Sequence, residues 1–364
     1  MPSARRPLTL VVVLLIVAAG IGRPSVVQAD PPDPPAHAFP AHPASSRTAP
    51  NAVATPPAEY GDLWNLRRIG LPCDGRPDLP MSEDELPEDA TVPADSAGAV
   101  VAIIDTGVDP THPLLAGRLV PGYDIVNDDP DPSDDQGHGT HMAGIVLMVA
   151  PHVKIMPVKA LSANGSGAHT WIATGIRWAA DHGADVINMS LGGPYTSATM
   201  RSAAEYAWSQ GVVLVAAAGS GNTSNPTYPA AYPFVMAVGA TTADDVRASF
   251  SNYGTWISVA APGMSILSSV RGGAYQVWSG TGMAAPHVAG LAGLVKWRYP
   301  YLTALQIREA IENGADDLGA PGFDSLFGYG RINACRTLDL AARTLPPQGS
   351  RPVPPWLTPS PPTD

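Results

Sequence analysis

The sequence predicts an α/β fold, three layers with a mainly parallel central sheet, on three observations. Short apolar runs rich in β-branched residues recur at 100–104, 153–158, 186–189 and 212–218. None alternates with polar residues, so these strands are buried on both faces. Longer segments with helical periodicity, such as 168–181 and 197–209, lie between them, which implies parallel β-α-β units with helices on both sides of the sheet.

At the N-terminus, Arg5-Arg6 precedes an uncharged run from Leu8 to Gly22, and small residues stand before Asp30. Residues 1–29 therefore read as a secretory signal, apolar over too short a length for a membrane span. Residues 30–57 hold nine prolines in 28 positions and residues 346–364 hold eight in 19, so both tails are expected to be Pro-rich linkers. Between them, 58–342 is predicted as one domain, in which 58–96 is a lead-in and acidic loop; 343–364 is the Pro-rich C-terminal tail that follows it. Nothing at the C-terminal end is apolar enough to act as a membrane anchor.

The 364 residues carry a formal charge of -11, and only three charges, all Arg, fall in 1–29. Its removal leaves 18 basic against 32 acidic residues, a surface that repels phosphate backbones and makes nucleic acid an unsuitable partner. Two cysteines are too few for a disulfide scaffold or a four-cysteine zinc site.

Ligand sites in parallel sheets lie beyond the carboxyl ends of the strands. The first strand runs into Asp105-Thr106-Gly107; alone, that carboxylate is as readily a loop cap. Gly137-His138-Gly139-Thr140-His141 opens a helix, with a histidine between glycines that allow close approach. The strand at 186–189 continues into Ser190-Leu191-Gly192-Gly193. Ser279-Gly280-Thr281-Gly282-Met283 leads a long apolar helix in which Pro286 is expected in the first turn, where a missing N–H costs little.

Taken in order, these stretches resemble the subtilisin family of serine proteases. Gly165-Ser166-Gly167, Ala216-Ala217-Ala218-Gly219 and Gly328-Tyr329-Gly330-Arg331-Ile332-Asn333-Ala334 extend the likeness, and the lead-in at 63–70 shares it. The resemblance implies a subtilisin-like fold in which Asp105 orients His138 and His138 acts as the base. It also puts the attacking serine at the third residue of Gly280-Thr281-Gly282-Met283, which is Gly282. The oxyanion asparagine is expected after Ala217-Ala218-Gly219, where the chain has Ser220; Asn222 could stand in only if the loop is rebuilt. The implied peptide groove lies between 161–167, with Gly165, Ser166 and Gly167, and Ser190, Leu191, Gly192 and Gly193. Ala217 and Gly219 would line a side-chain pocket.

The expectation is a secreted, monomeric serine peptidase homologue that is inactive and keeps a groove for a peptide or protein ligand. The rivals are an endopeptidase working through Thr281, Ser279 or an activated water, and a relic without ligand. No cofactor is expected. Asp128, Asp129, Asp131, Asp134 and Asp135 contain enough carboxylates for calcium, but a solvated loop explains them as well. The only two cysteines, Cys73 and Cys335, are the candidate pair for one disulfide from the lead-in to the last helix.

Overall fold

The structure, a computed structural model, describes residues 63–73 and 98–344 and the backbone of Phe39–Pro40. The expected secretory signal at 1–29, the expected acidic loop within 58–96, the C-terminal tail and the rest of 30–57 lie outside the described residues. The order begins with β1 (Phe39–Pro40), α1 (Trp64–Arg68), β2 (Val100–Asp105), β3 (Tyr123–Asp124), α2 (His138–Val149), β4 (Lys154–Lys159) and β5 (Ser166–Gly167). It continues with α3 (His169–Asp181), β6 (Val186–Met189), α4 (Ala198–Ser209), β7 (Val213–Ala217), β8 (Val235–Thr241) and β9 (Val259–Pro262). Last come the hairpin β10 (Ile266–Val270) and β11 (Ala274–Trp278), then α5 (Thr281–Arg298), α6 (Ala304–Gly314) and α7 (Ala334–Arg343).

Seven strands form one parallel sheet in the order β3-β4-β2-β6-β7-β8-β9. Every residue of β2, β6, β7, β8 and β9 is buried, as strands covered on both faces require. Parallel crossovers are right-handed. The step from β2 to β4 runs one way along the sheet, whereas β4 to β6 and β6 to β7 run the other. Helix α2 therefore covers one face and α3 and α4 the opposite one. The packing agrees, with α2 against α5 and α3 against α4. Helix α5 runs under the sheet centre, touching β6, β7, β8 and β9, and is buried from Thr281 to Val295. No helix among the described residues is long and apolar enough to cross a membrane.

Two sequence expectations change. Helix α5 begins at Thr281, so Pro286 sits in its second turn and removes a hydrogen bond within the helix. The 30–57 segment, expected as a linker only, contributes β1, which pairs with β5.

Candidate active site

Because the sheet is parallel, the residues after β2, β4, β6 and β7 emerge at one edge, where α2 also begins. Asp105 closes β2 and His138 opens α2. His138 Nδ1 lies 2.8 Å from Asp105 Oδ1 and 2.9 Å from Oδ2, and both residues are buried. The Thr106 N–H donates to Asp105 Oδ1 at 2.8 Å and fixes the carboxylate. Gly139 lets the helix start come this close, since a Cβ there would collide with the Gly107 carbonyl oxygen.

Burial pushes His138 toward its neutral form. The charge and hydrogen bond of Asp105, with a smaller contribution from Asp134, outweigh that penalty and hold its pKa above the ordinary histidine value. With Nδ1–H donated to Asp105, the neutral ring carries its lone pair on Nε2. Nε2 is buried and has no hydrogen-bond partner among the described residues.

Gly282, the second residue of α5, faces that nitrogen. A Cβ built on Gly282 would stand 3.5 Å from His138 Nε2 and 3.6 Å from Ser190 Cβ, ordinary contact distances. A Cβ fits there without displacement; the glycine offers no hydroxyl to a base. The Gly282 carbonyl would ordinarily bond the N–H four residues on, which Pro286 lacks. Instead it accepts from Ser190 Oγ at 2.7 Å, and Ser190 Oγ in turn accepts from Asn188 Nδ2 at 3.0 Å.

Ser220 is turned onto the start of α5. Its Oγ accepts from the Thr281 N–H at 3.2 Å and lies 3.3 Å from Thr281 Oγ1, while the Gly219 N–H donates to Thr281 Oγ1 at 2.9 Å. Asn222 is exposed, and its Oδ1 accepts from Arg247 Nη2 at 2.9 Å. Ser279 Oγ accepts from the Ser265 N–H at 2.8 Å. The hydroxyls of both alternative nucleophiles, Ser279 and Thr281, are thus bonded elsewhere.

One side of the groove is a tight turn. The Gly165 N–H donates to the Ser162 carbonyl at 2.8 Å and the Ser166 N–H to Asn164 Oδ1 at 2.8 Å. Gly167 backs onto the Ala160 carbonyl, where a Cβ would collide. On the other side Ser190, Leu191, Gly192 and Gly193 are buried. Gly193 differs from the expectation: its N–H and carbonyl bond Tyr228 at 3.0 and 2.8 Å, so its backbone is engaged within the fold. Ala217 is buried at the end of β7, and the Gly219 carbonyl accepts from the Asn252 N–H at 2.8 Å.

The family model of the Subtilase family matches residues 96–330. The chain belongs to this family. It is 48% identical over 249 residues to the thermophilic serine proteinase of Bacillus sp. (strain AK1), covering 66% of this chain and 61% of that one. It is 44% identical over 255 residues to thermitase of Thermoactinomyces vulgaris, covering 67% of this chain and 90% of that one. Among solved structures it is similar to fervidolysin from Fervidobacterium pennivorans, a keratinolytic enzyme related to subtilisin. The TM-score is 0.66 at 34% identity, over 80% of this chain and 47% of that chain.

Several residues hold this subtilase's site together in ways the sequence did not show; Asp134, read there only as one of five loop carboxylates, is the first. Asp134 accepts from Thr106 Oγ1, from the N–H groups of Gln136, Gly137 and Thr140, and from Thr140 Oγ1. It thereby ties the loop after β2 to the start of α2. Lys159 is 2% exposed and donates to the carbonyls of Thr106 (2.9 Å) and Leu161 (3.0 Å) and to Asp135 (2.7 Å). Trp278 lies nearly parallel to His141 at 4.4 Å and to His138 at 6.2 Å. The remaining carboxylates of the 128–135 loop accept from nearby donors: Asp128 takes Tyr123 Oη, Asp129 the Asp131 N–H, and Asp131 the Ser133 N–H and Oγ. Cys73 and Cys335 form a disulfide with Cα atoms 5.4 Å apart.

Proposed function

We propose that this subtilase is an exported, monomeric, catalytically inactive serine peptidase homologue. Its domain at 58–342 holds an extended peptide or protein segment without cofactor and has no affinity for nucleic acid. One observation carries the reading: the residue facing His138 Nε2 is Gly282, so a base exists with no hydroxyl to deprotonate. In subtilisin, a member of this family, loss of the attacking serine lowers turnover by about 10⁶-fold, and loss of the oxyanion amide by about 10²–10³-fold. The first loss dominates, because an oxyanion donor acts only once an oxyanion forms. Ser220, bonded to Thr281, adds to the deficit. The ordered dyad and the buried groove segments support retained binding.

A fluorophosphonate probe and a peptide titration test this reading together. The expected result is no covalent labelling and saturable binding of extended peptides. Labelling of the wild type that His138→Ala abolishes would establish an active enzyme with an unconventional nucleophile. No labelling and no binding would favour a relic.

A further inference from the structure

The loop before α7 carries an exposed apolar face at the β9 edge of the sheet. Its backbone follows that strand: the Tyr329 N–H donates to the Ser258 carbonyl and the Ala260 N–H to the Gly330 carbonyl, each at 2.8 Å. Strand β9 ends the sheet opposite β3, so this face stands apart from the groove segments after β4 and β6. Phe323, Leu326 and Tyr329 are 45%, 38% and 44% exposed, and the rings of Phe323 and Tyr329 meet edge to face at 5.3 Å. Two carboxylates brace them. Asp324 accepts from the N–H groups of Ala320, Leu326 and Phe327 at 2.9, 2.8 and 2.9 Å, and Asp317 from the Gly322 N–H at 2.9 Å. Apolar side chains gathered on a braced loop mark an interaction surface.

Reach and charge choose the occupant. From Tyr329 to Asn333 the chain spans at most about 14 Å, and from there through α7 to Thr344 about 17 Å, so Thr344 lies within about 31 Å of Tyr329. In the polyproline conformation the twelve steps from Thr344 to Trp356 cover about 37 Å, enough to return to the loop. Asp316, Asp317 and Asp324 are the only charged residues in 316–330, and Arg351 is the only basic one in 345–364. In Pro352-Val353-Pro354-Pro355-Trp356-Leu357, three residues per turn put Val353 and Trp356 on one edge and Pro354 and Leu357 on the next. Proline-rich segments of this geometry dock on aromatic side chains.

We infer that the face of Phe323, Leu326 and Tyr329 is the docking site of the chain's own 352–357 segment, with Trp356 against the two rings and Arg351 toward Asp317. The contact is independent of what the groove holds.

The test uses the full chain with fluorinated tryptophan, in which the ¹⁹F resonance lost in Trp356→Ala is that of Trp356. In the wild type it should differ from that of a synthetic peptide of residues 349–359, and in Phe323→Ser with Tyr329→Ser it should move to the free-peptide position. Arg351→Glu, which leaves the loop untouched, should move it the same way. Protection of the Gly328 amide, donated to the Asp324 carbonyl at 3.0 Å, should persist in every variant and reports an intact loop. The peptide should bind Trp356→Ala at least about tenfold more tightly than wild type, because the tethered segment competes at an effective concentration on the order of millimolar. A wild-type Trp356 resonance at the free-peptide position overturns the inference, as does equal peptide affinity for wild type and Trp356→Ala. A resonance that moves on dilution assigns the face to a second copy's tail and overturns docking within one chain.

Discussion

Ser190 Oγ donates at 2.7 Å to the carbonyl of Gly282, the group that Pro286 leaves without a helical partner. The hydroxyl thus completes a helix that runs beneath the whole sheet. Ser190→Ala should leave this buried acceptor unsatisfied and lower stability by about 1–3 kcal/mol. Pro286→Ala restores an N–H to the helix, so the double variant should lose less than Ser190→Ala alone. Urea melts of the four proteins measure the coupling, and strict additivity would deny it.

Acid should destabilise the fold through two buried histidines. Burial pushes His141 down to about 3 and His287 down to about 4, whereas in the unfolded chain both titrate near about 6.5. Their folded pKa values are depressed, so the unfolded state binds more protons between about pH 6.5 and those values, and stability falls as pH falls through that window. The slope from each is about 1.4 kcal/mol per pH unit at its steepest. His138 has the opposite sign. Its folded pKa is raised, so its contribution is complete below the unfolded value and disappears as pH rises through the folded one. Denaturant midpoints between pH 7 and 4 should show the net acid loss. A flat profile would mean that the two rings are not held neutral.

Lys159 links the loop after β2 to the first groove segment. Lys159→Met keeps most of its apolar stem and strips the donors from two buried carbonyls. The expected loss is about 1–3 kcal/mol for each carbonyl. Pairing with Asp135, whose side chain is 45% exposed, adds little. A variant as stable as wild type by calorimetry would contradict the assigned role.

The bridge between Cys73 and Cys335 closes a loop across 262 positions. Constraining so long an unfolded loop is worth about 2–5 kcal/mol. Reduction, or Cys73→Ser with Cys335→Ser, should lower the melting temperature without disordering the His138–Asp105 pair, followed by the imidazole NMR resonances. An unchanged melting temperature would exclude this stabilisation.

The parts of the fold that could be read from the sequence were those with one-dimensional signals. The runs at 100–104, 186–189 and 212–218 are apolar on both faces and became β2, β6 and β7. The helix at 197–209 carries its own start signal, since Ser197 caps it by accepting from the Met200 N–H. Pairings between distant residues were not legible. Asp105 and His138 are 33 positions apart and were matched only through family resemblance, while Ser220 with Thr281 is 61 positions apart. The cluster in which Arg68 and Arg331 meet Asp245, and Arg331 and Arg336 meet Asp316, joins lead-in, core and C-terminal segments. No local pattern announces such a cluster. The position of Pro286 was misjudged because nothing in the sequence around 279–283 marks which residue begins the helix.

The most direct test of the account is casein hydrolysis by wild type, His138→Ala, and the double variant Gly282→Ser with Ser220→Asn. A Cβ at position 282 meets His138 Nε2 at an ordinary contact distance, 3.5 Å. The wild type should therefore match the His138→Ala background, and the double variant should exceed both by several orders of magnitude, on the order of the 10⁶-fold that the nucleophile supplies in this family. Wild-type cleavage at an ordinary rate that His138→Ala removes would contradict the account. A folded double variant no better than wild type would contradict it equally.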